Sequence, residues 1–386
     1  MITTLIAEQL FDGKELHTHR PISFENGKVI ALDTVSGAKE LKVSGLIAPG
    51  FIDVQVNGGG GYLFNHQTNS ETLSAMVKAH GKYGTTALLP TLITSDLATL
   101  NSAADVISDA ITTKLPGVIG VHFEGPHISV PKKGIHSSDH IRALSQQELD
   151  LYCRDDLGLK IITIAPENVA IETIKTLVEN NVIVCLGHSN ASYEQTQAAL
   201  NAGATGFTHL FNAMSALTSR EPNMIGAALL DKNSWCGLIL DGHHVHPATA
   251  KLATQAKAKG KMMLVTDAMS TIGSEQTQFE FDGHHIKLSK DNSKDKYQDK
   301  LTSQTGQLAG SALDMITAVN NAQTMLDVSF EEALKMASYY PAQFLNISQQ
   351  RGQLSVGSNA DFTLLSTPQN LPTHVTGTWV DGNAIF

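Results

Sequence analysis

The sequence is poor in the features that tie a protein to nucleic acid, to a membrane or to an oxidising compartment. Its 386 residues carry 27 Lys and Arg against 37 Asp and Glu, a formal charge of −10, and no basic run is longer than Lys132-Lys133. Polyanions and anionic lipid surfaces are held by clustered cations, so neither is an expected partner. A small phosphorylated ligand, which needs only about two or three local donors, stays open. The three cysteines, Cys153, Cys185 and Cys236, are odd in number and lack CxxC spacing; they read as reduced thiols packed in a core. No stretch approaches the ~18 consecutive apolar residues of a membrane span. The opening MITTLIAEQLFDGKEL lacks the basic and apolar regions of a secretion signal, and the expected location is the cytoplasm. The dinucleotide fingerprint GxGxxG is missing too, because NGGGGY at 57–62 has neither its spacing nor the helix that should follow.

What the sequence does have is a long alternation of strands and helices. Apolar runs of strand length recur at 51–57, 86–93, 117–125, 161–167, 182–189, 205–212, 236–242 and 262–268. Helical patterns lie between most of them, such as SYEQTQAALNAG with a capping Gly203. Eight parallel units of this kind close into an α/β fold of the (β/α)8 barrel type. The ends differ: residues 1–48 and 345–386 show short strands punctuated by turn pairs such as Asn26-Gly27 and Asp381-Gly382. The expected organisation is a small β-sandwich domain built from both termini, a barrel over 49–344, and a polar, partly mobile hairpin inserted at 274–306.

In such a barrel the active site forms where the strands end. Glu124, His188 and His209 end three different strands and converge on the axis. Two imidazoles and a carboxylate suit a catalytic Zn²⁺ or Fe²⁺ with water completing the shell. Asp267, in LVTDAMS, ends the eighth strand outside that triad and fits a general base. Asp53, Gln55 and Asn57 share one face of the first strand and need partners there. Other polar residues read as bland: His17 and His19 in HTH as surface, His246, His284 and His285 as exposed loop residues, Cys185 as core, and Glu167 as lying outside the site.

Taken in order, APGFIDVQVNG, GVHFEGPHI, KKGIHSSDH, GHSNAS, THLFNAMSAL, REPNMIGAAL, LILDGHHVH, LVTDAMS and LAGSALDM resemble the successive motifs of the N-acetylglucosamine-6-phosphate deacetylase family. That family belongs to the metal-dependent amidohydrolase superfamily, and the likeness spans nearly the whole chain. It implies hydrolysis of N-acetyl-D-glucosamine 6-phosphate to D-glucosamine 6-phosphate and acetate in amino-sugar catabolism. Glu124, His188 and His209 would hold one divalent metal, Zn²⁺ or Fe²⁺. Asp267 would be the acid and base, and His136 would polarise the acetyl carbonyl. Asn212, the Ala213 backbone N–H, Arg220 and His244 would hold the sugar phosphate, with Arg220 and His244 able to act across a homodimer interface. Ile135 and residues Leu308, Ala309, Gly310 and Ser311 would line the pocket. Gln55 and Asn57 stand where binuclear members carry His-x-His, so they mark a vacated second metal position; plain structural capping is the competing reading. The alternatives are another mononuclear amidohydrolase, acting on a cyclic amide or as a deaminase, and a non-catalytic phosphosugar-binding barrel.

Overall fold

The structure, a computed structural model, describes residues 1–290, 299–369 and 371–386. Eight parallel strands follow one another around a single sheet. They are β1 (Phe51–Val56), β2 (Thr85–Ile93), β3 (Gly120–Glu124), β4 (Leu159–Ile164), β5 (Val182–Leu186), β6 (Gly206–Phe207), β7 (Trp235–Leu238) and β8 (Met262–Leu264). Parallel strands are covered on both faces, and every residue of β1 and β2 is buried. The ring closes just beyond β8, where Ala268 bridges Val56 in parallel and the Asp267 N–H donates to the Gln55 carbonyl at 3.0 Å. The expected (β/α)8 barrel is present.

The helices begin where capping chemistry places them. Asn69 caps Ser70–Gly81 by accepting from the Thr72 N–H, and Asp96 caps Leu97–Thr112 through Thr99. Ser192 and Gln195 form a reciprocal capping box at Tyr193–Asn201. That helix stops at Gly203, whose φ of +108° suits the left-handed turn expected there.

Both termini contribute to a six-stranded sheet in which Leu46–Pro49 pairs with Phe362–Ser366, and a four-stranded sheet comes from the N-terminal segment alone. Leu5, Leu10, Ile22, Phe24, Ile47 and Phe362 pack into one core with them. The Asn26-Gly27 and Asp381-Gly382 pairs have φ of +49°/+76° and +47°/+75°, the all-positive signature of a tight hairpin turn.

Three strand expectations need trimming. The sixth run, expected over 205–212, keeps only Gly206–Phe207 as strand, because His209, Phe211 and Ala213 all take positive φ. The eighth ends at Leu264 rather than 268, with Asp267 at φ +53°. The insertion is a three-stranded antiparallel sheet, Gln278–Phe281, His284–Lys290 and Asp299–Ser303, rather than a hairpin. Residues 291–298, part of the segment expected to be mobile, lie outside the described residues. Among the described residues no helix is long and apolar enough to cross a membrane.

Candidate metal centre and catalytic site

The strand ends on one rim of the barrel surround a cavity of about 230 Å³ whose wall includes Glu124, His136, His188, His209 and Asp267. Glu124 is the last residue of β3. His188, His209 and Asp267 lie just past β5, β6 and β8, with φ of +46°, +31° and +53°. Left-handed backbone costs a non-glycine residue about 1–3 kcal/mol and persists where the surroundings over-determine it. Here it turns three chemically useful side chains out of their strands.

Glu124 Oε1 lies 3.0 Å from His209 Nε2 and 3.4 Å from His188 Nε2, and the two Nε2 atoms are 3.0 Å apart. A tetrahedral ion with ligand lengths of about 2.0–2.2 Å spaces its donors by roughly 3.3 Å, so these three side chains fit one. They are 2%, 5% and 4% exposed, and no other described His, Cys, Asp or Glu side chains form such a group. His188 Nδ1 sits 2.9 Å from the Lys132 carbonyl. It can only donate there, which leaves Nε2 its lone pair. Burial opposes charge on Glu124, but His188 and His209 beside it hold its carboxyl well below the usual range. A buried carboxylate between two imidazoles is a group that can hold a divalent cation.

Asp267 stands outside this group. Burial, and then the charge of Glu124, push its pKa up to about 6, which is suited to proton exchange near neutrality. Its Oδ1 accepts from Asn57 Nδ2 at 2.7 Å and from Gln55 Nε2 at 3.1 Å, and Gln55 also donates to Glu124 Oε1 at 3.0 Å. The amides of the first strand therefore find their partners on neighbouring strand ends. His136 is held by burial well below the usual imidazole range. Its Nδ1 lies 2.8 Å from the Thr94 hydroxyl, which itself donates to the Glu124 carbonyl at 3.4 Å.

Of the other expected site residues, Asn57, Ile135, Asn212, Ala213, His244, Leu308 and Gly310 line the cavity. The N–H of Ala213 has no partner among the described residues. Ala309, Ser311 and Arg220 are not part of the wall. Ala309 and Ser311 are buried behind the wall, and the Ser311 hydroxyl is spent on the Thr266 carbonyl. Arg220 is exposed and absent from the cavity wall. His244 lies in the wall of its own chain's cavity, 2.6 Å from Asp241. Glu167 works outside the site, accepting from the Ser189 hydroxyl and the Asn190 N–H at 2.6 Å each to fix the turn after His188.

Sequence reasoning missed Thr94, Gly134 and Gln307. Thr94 follows β2 directly, and a polar residue at a barrel strand end was a usable signal. The role of Lys132 is carried by its backbone carbonyl, which no residue identity announces.

The amidohydrolase family model matches residues 46–385. The N-acetylgalactosamine-6-phosphate deacetylase of Shewanella sp. (strain ANA-3) is 48% identical over 344 residues, covering 89% of this chain and 84% of that protein. The crystal structure of N-acetylglucosamine-6-phosphate deacetylase from Pasteurella multocida superposes with a TM-score of 0.92 at 32% identity, covering 100% and 99% of the two chains. A mutant of the Mycobacterium smegmatis N-acetyl-D-glucosamine-6-phosphate deacetylase, solved in complex with N-acetyl-D-glucosamine 6-phosphate, reaches a TM-score of 0.88 at 27% identity, covering 100% and 99%. With its barrel, its Glu-His-His cluster and these likenesses together, the chain belongs to the amidohydrolase family.

Proposed function

We propose that this chain is a metal-dependent deacetylase that converts N-acetyl-D-glucosamine 6-phosphate into D-glucosamine 6-phosphate and acetate. The observation that carries the reading is the convergence of Glu124, His188 and His209 with the unliganded Asp267 in one cavity. The relatives' substrates narrow the chemistry to the acetamide of a phosphorylated amino sugar. A divalent ion, Zn²⁺ by the N,N,O donor set, supplies Lewis acidity and an acidified water when bound. The chain's own residues do the rest. Asp267 accepts the proton released as water attacks the carbonyl and returns it to the amide nitrogen, which leaves poorly unless protonated. His136, in the cavity wall, polarises the acetyl carbonyl and stabilises the developing oxyanion. Asn212, the free Ala213 N–H and His244 grip the phosphate, while Ile135, Leu308 and Gly310 shape the wall.

Arg220 completes that grip from the neighbouring subunit of a homodimer. Its exposure supports this reading, as does that of Leu217 at 52% and Leu230 at 66% in the adjoining loop and helix. The small domain takes residues 1–48 and 345–386, and the barrel 49–344. Three unpaired cysteines suit a reducing cytoplasm.

The 48% identity to a galactosamine-type deacetylase favours a second substrate reading, the 4-epimer N-acetyl-D-galactosamine 6-phosphate. Acetate release from each epimer, with chelator and after Zn²⁺ return, tests both. Release that ignores the chelator, or that is absent from both sugars, overturns the function.

A further inference from the structure

We propose that Gln55 and Asn57 are positioning residues that tether Asp267 by one carboxylate oxygen, holding it out of the metal's coordination and leaving its other oxygen free for the reaction's proton. This rests on the reading of Asp267 as the base.

The tether is built from both strands that close the barrel. Asn57 Nδ2 donates to Asp267 Oδ1 at 2.7 Å and to its carbonyl at 3.2 Å, and Gln55 Nε2 reaches the same Oδ1 at 3.1 Å. The Asp267 backbone is pinned as well: its N–H donates to the Gln55 carbonyl at 3.0 Å, and its carbonyl accepts from the Ser311 N–H at 2.9 Å. Among the described residues nothing donates to Oδ2, although Asp267 lines the cavity. A carboxylate beside a divalent ion is drawn into its shell unless something competes. Two amide donors on Oδ1, with the backbone locked at φ +53°, are that competition. Amides suit the task because they donate at every pH and bind transition metals weakly beside imidazole. Asn57 Oδ1 is buried without a partner, so the tethering amide also presents an acceptor next to the reacting atoms.

The test uses Asn57→Leu, because Gln55 also touches Glu124 and changing it would disturb a ligand directly. Co²⁺ is the probe, read by its visible spectrum and by chelator competition on the whole protein. With the tether cut, Asp267 should join the ion. The spectrum should change, Co²⁺ should bind at least ~10-fold tighter, and adding Asp267→Asn should reverse both. In turnover, kcat should drop by about 10²-fold with KM held, and in an Asp267→Asn background Asn57→Leu should cost nothing further. Asn57→Ser, too short to reach Oδ1, should behave alike should the leucine variant fold poorly. An unchanged Co²⁺ spectrum and affinity, failure to take up Co²⁺, or an equal kcat loss in the Asp267→Asn background overturns the tether. Absence of acetate release in the wild type would instead sink the deacetylase reading, and the Co²⁺ measurements would still judge the tether.

Discussion

His244 Nδ1 lies 2.6 Å from Asp241 Oδ2, and the other oxygen of the same carboxylate accepts the backbone N–H groups of His243 and His244 at 2.8 and 2.9 Å. Asp241 therefore fixes both the loop and the ring, with Nδ1 donating and Nε2 turned to the cavity. Asp241→Asn keeps the shape but offers an N–H or a weaker acceptor to Nδ1. KM for the phosphorylated sugar should rise several-fold while kcat holds, as expected of uniform binding lost at a remote group. An equal loss toward the unphosphorylated sugar would remove His244 from the phosphate grip.

Asp267→Asn should keep the metal and lose turnover by about 10²–10⁴-fold. Wild-type kcat/KM should fall as pH drops through its pKa, which lies at about 6 without the ion and lower with a cation beside it. The variant should show no such limb. Retained activity with an unchanged acidic limb would assign the proton work elsewhere.

Metal content should be one equivalent per chain. Glu124→Gln and His209→Gln should each lose the ion on desalting, since each removes one of three protein donors. Titration of Zn²⁺ into apo-protein should bring activity to its plateau at one equivalent; a plateau reached only at two would show that the amides Gln55 and Asn57 do not exclude a second ion.

Arg220→Ala should raise KM for the 6-phosphate more than it alters kcat, because a distant charge supplies binding. If Arg220 acts across subunits, mixing it with Asp267→Asn chains should bring KM back toward wild type in hybrids, at the site that pairs Asp267 of one chain with Arg220 of the other. No recovery, with the mixture shown to exchange subunits, places Arg220 in its own chain's site or outside it.

Asp53 lies wholly buried on β1 and accepts from the Gln55 N–H at 3.2 Å, the Thr266 N–H at 3.3 Å and the Thr266 hydroxyl. Those bonds favour its charge, but burial outweighs them and pushes the pKa from 3.8 to about 7. The folded state thus binds the proton more tightly than the unfolded chain, so stability from this group is lost as pH rises through that window. Asp53→Asn, neutral throughout, should melt above wild type at pH 8, with the gap narrowing at pH 5. A gap that does not change with pH means Asp53 is ionised in the native protein.

The barrel is legible in the sequence because parallel strands bury both faces and so appear as unbroken apolar runs such as TALLPTLI. The cluster of Glu124, His188 and His209 is legible because histidine and glutamate are conspicuous at the ends of such runs. What stays hidden is set by backbone geometry. Positive φ at His209 shortens β6 to two residues, yet nothing in THLFNA announces it. The Lys132 carbonyl behind His188 is invisible for the same reason, since every residue carries one.

The seam between the first and last barrel strands also orders the assembly of the site. Gln55 and Asp267 are 212 positions apart, and their contact forms only when the chain has wound the whole ring and returned, a long loop closure. Glu124, His188 and His209 lie on neighbouring or near-neighbouring strands made well before Asp267 is synthesised. With Asp267 as the proposed acid–base group, a growing or partly refolded chain would gain the means to capture a metal ion before it could turn over substrate. Catalytic competence would then report that the barrel has closed.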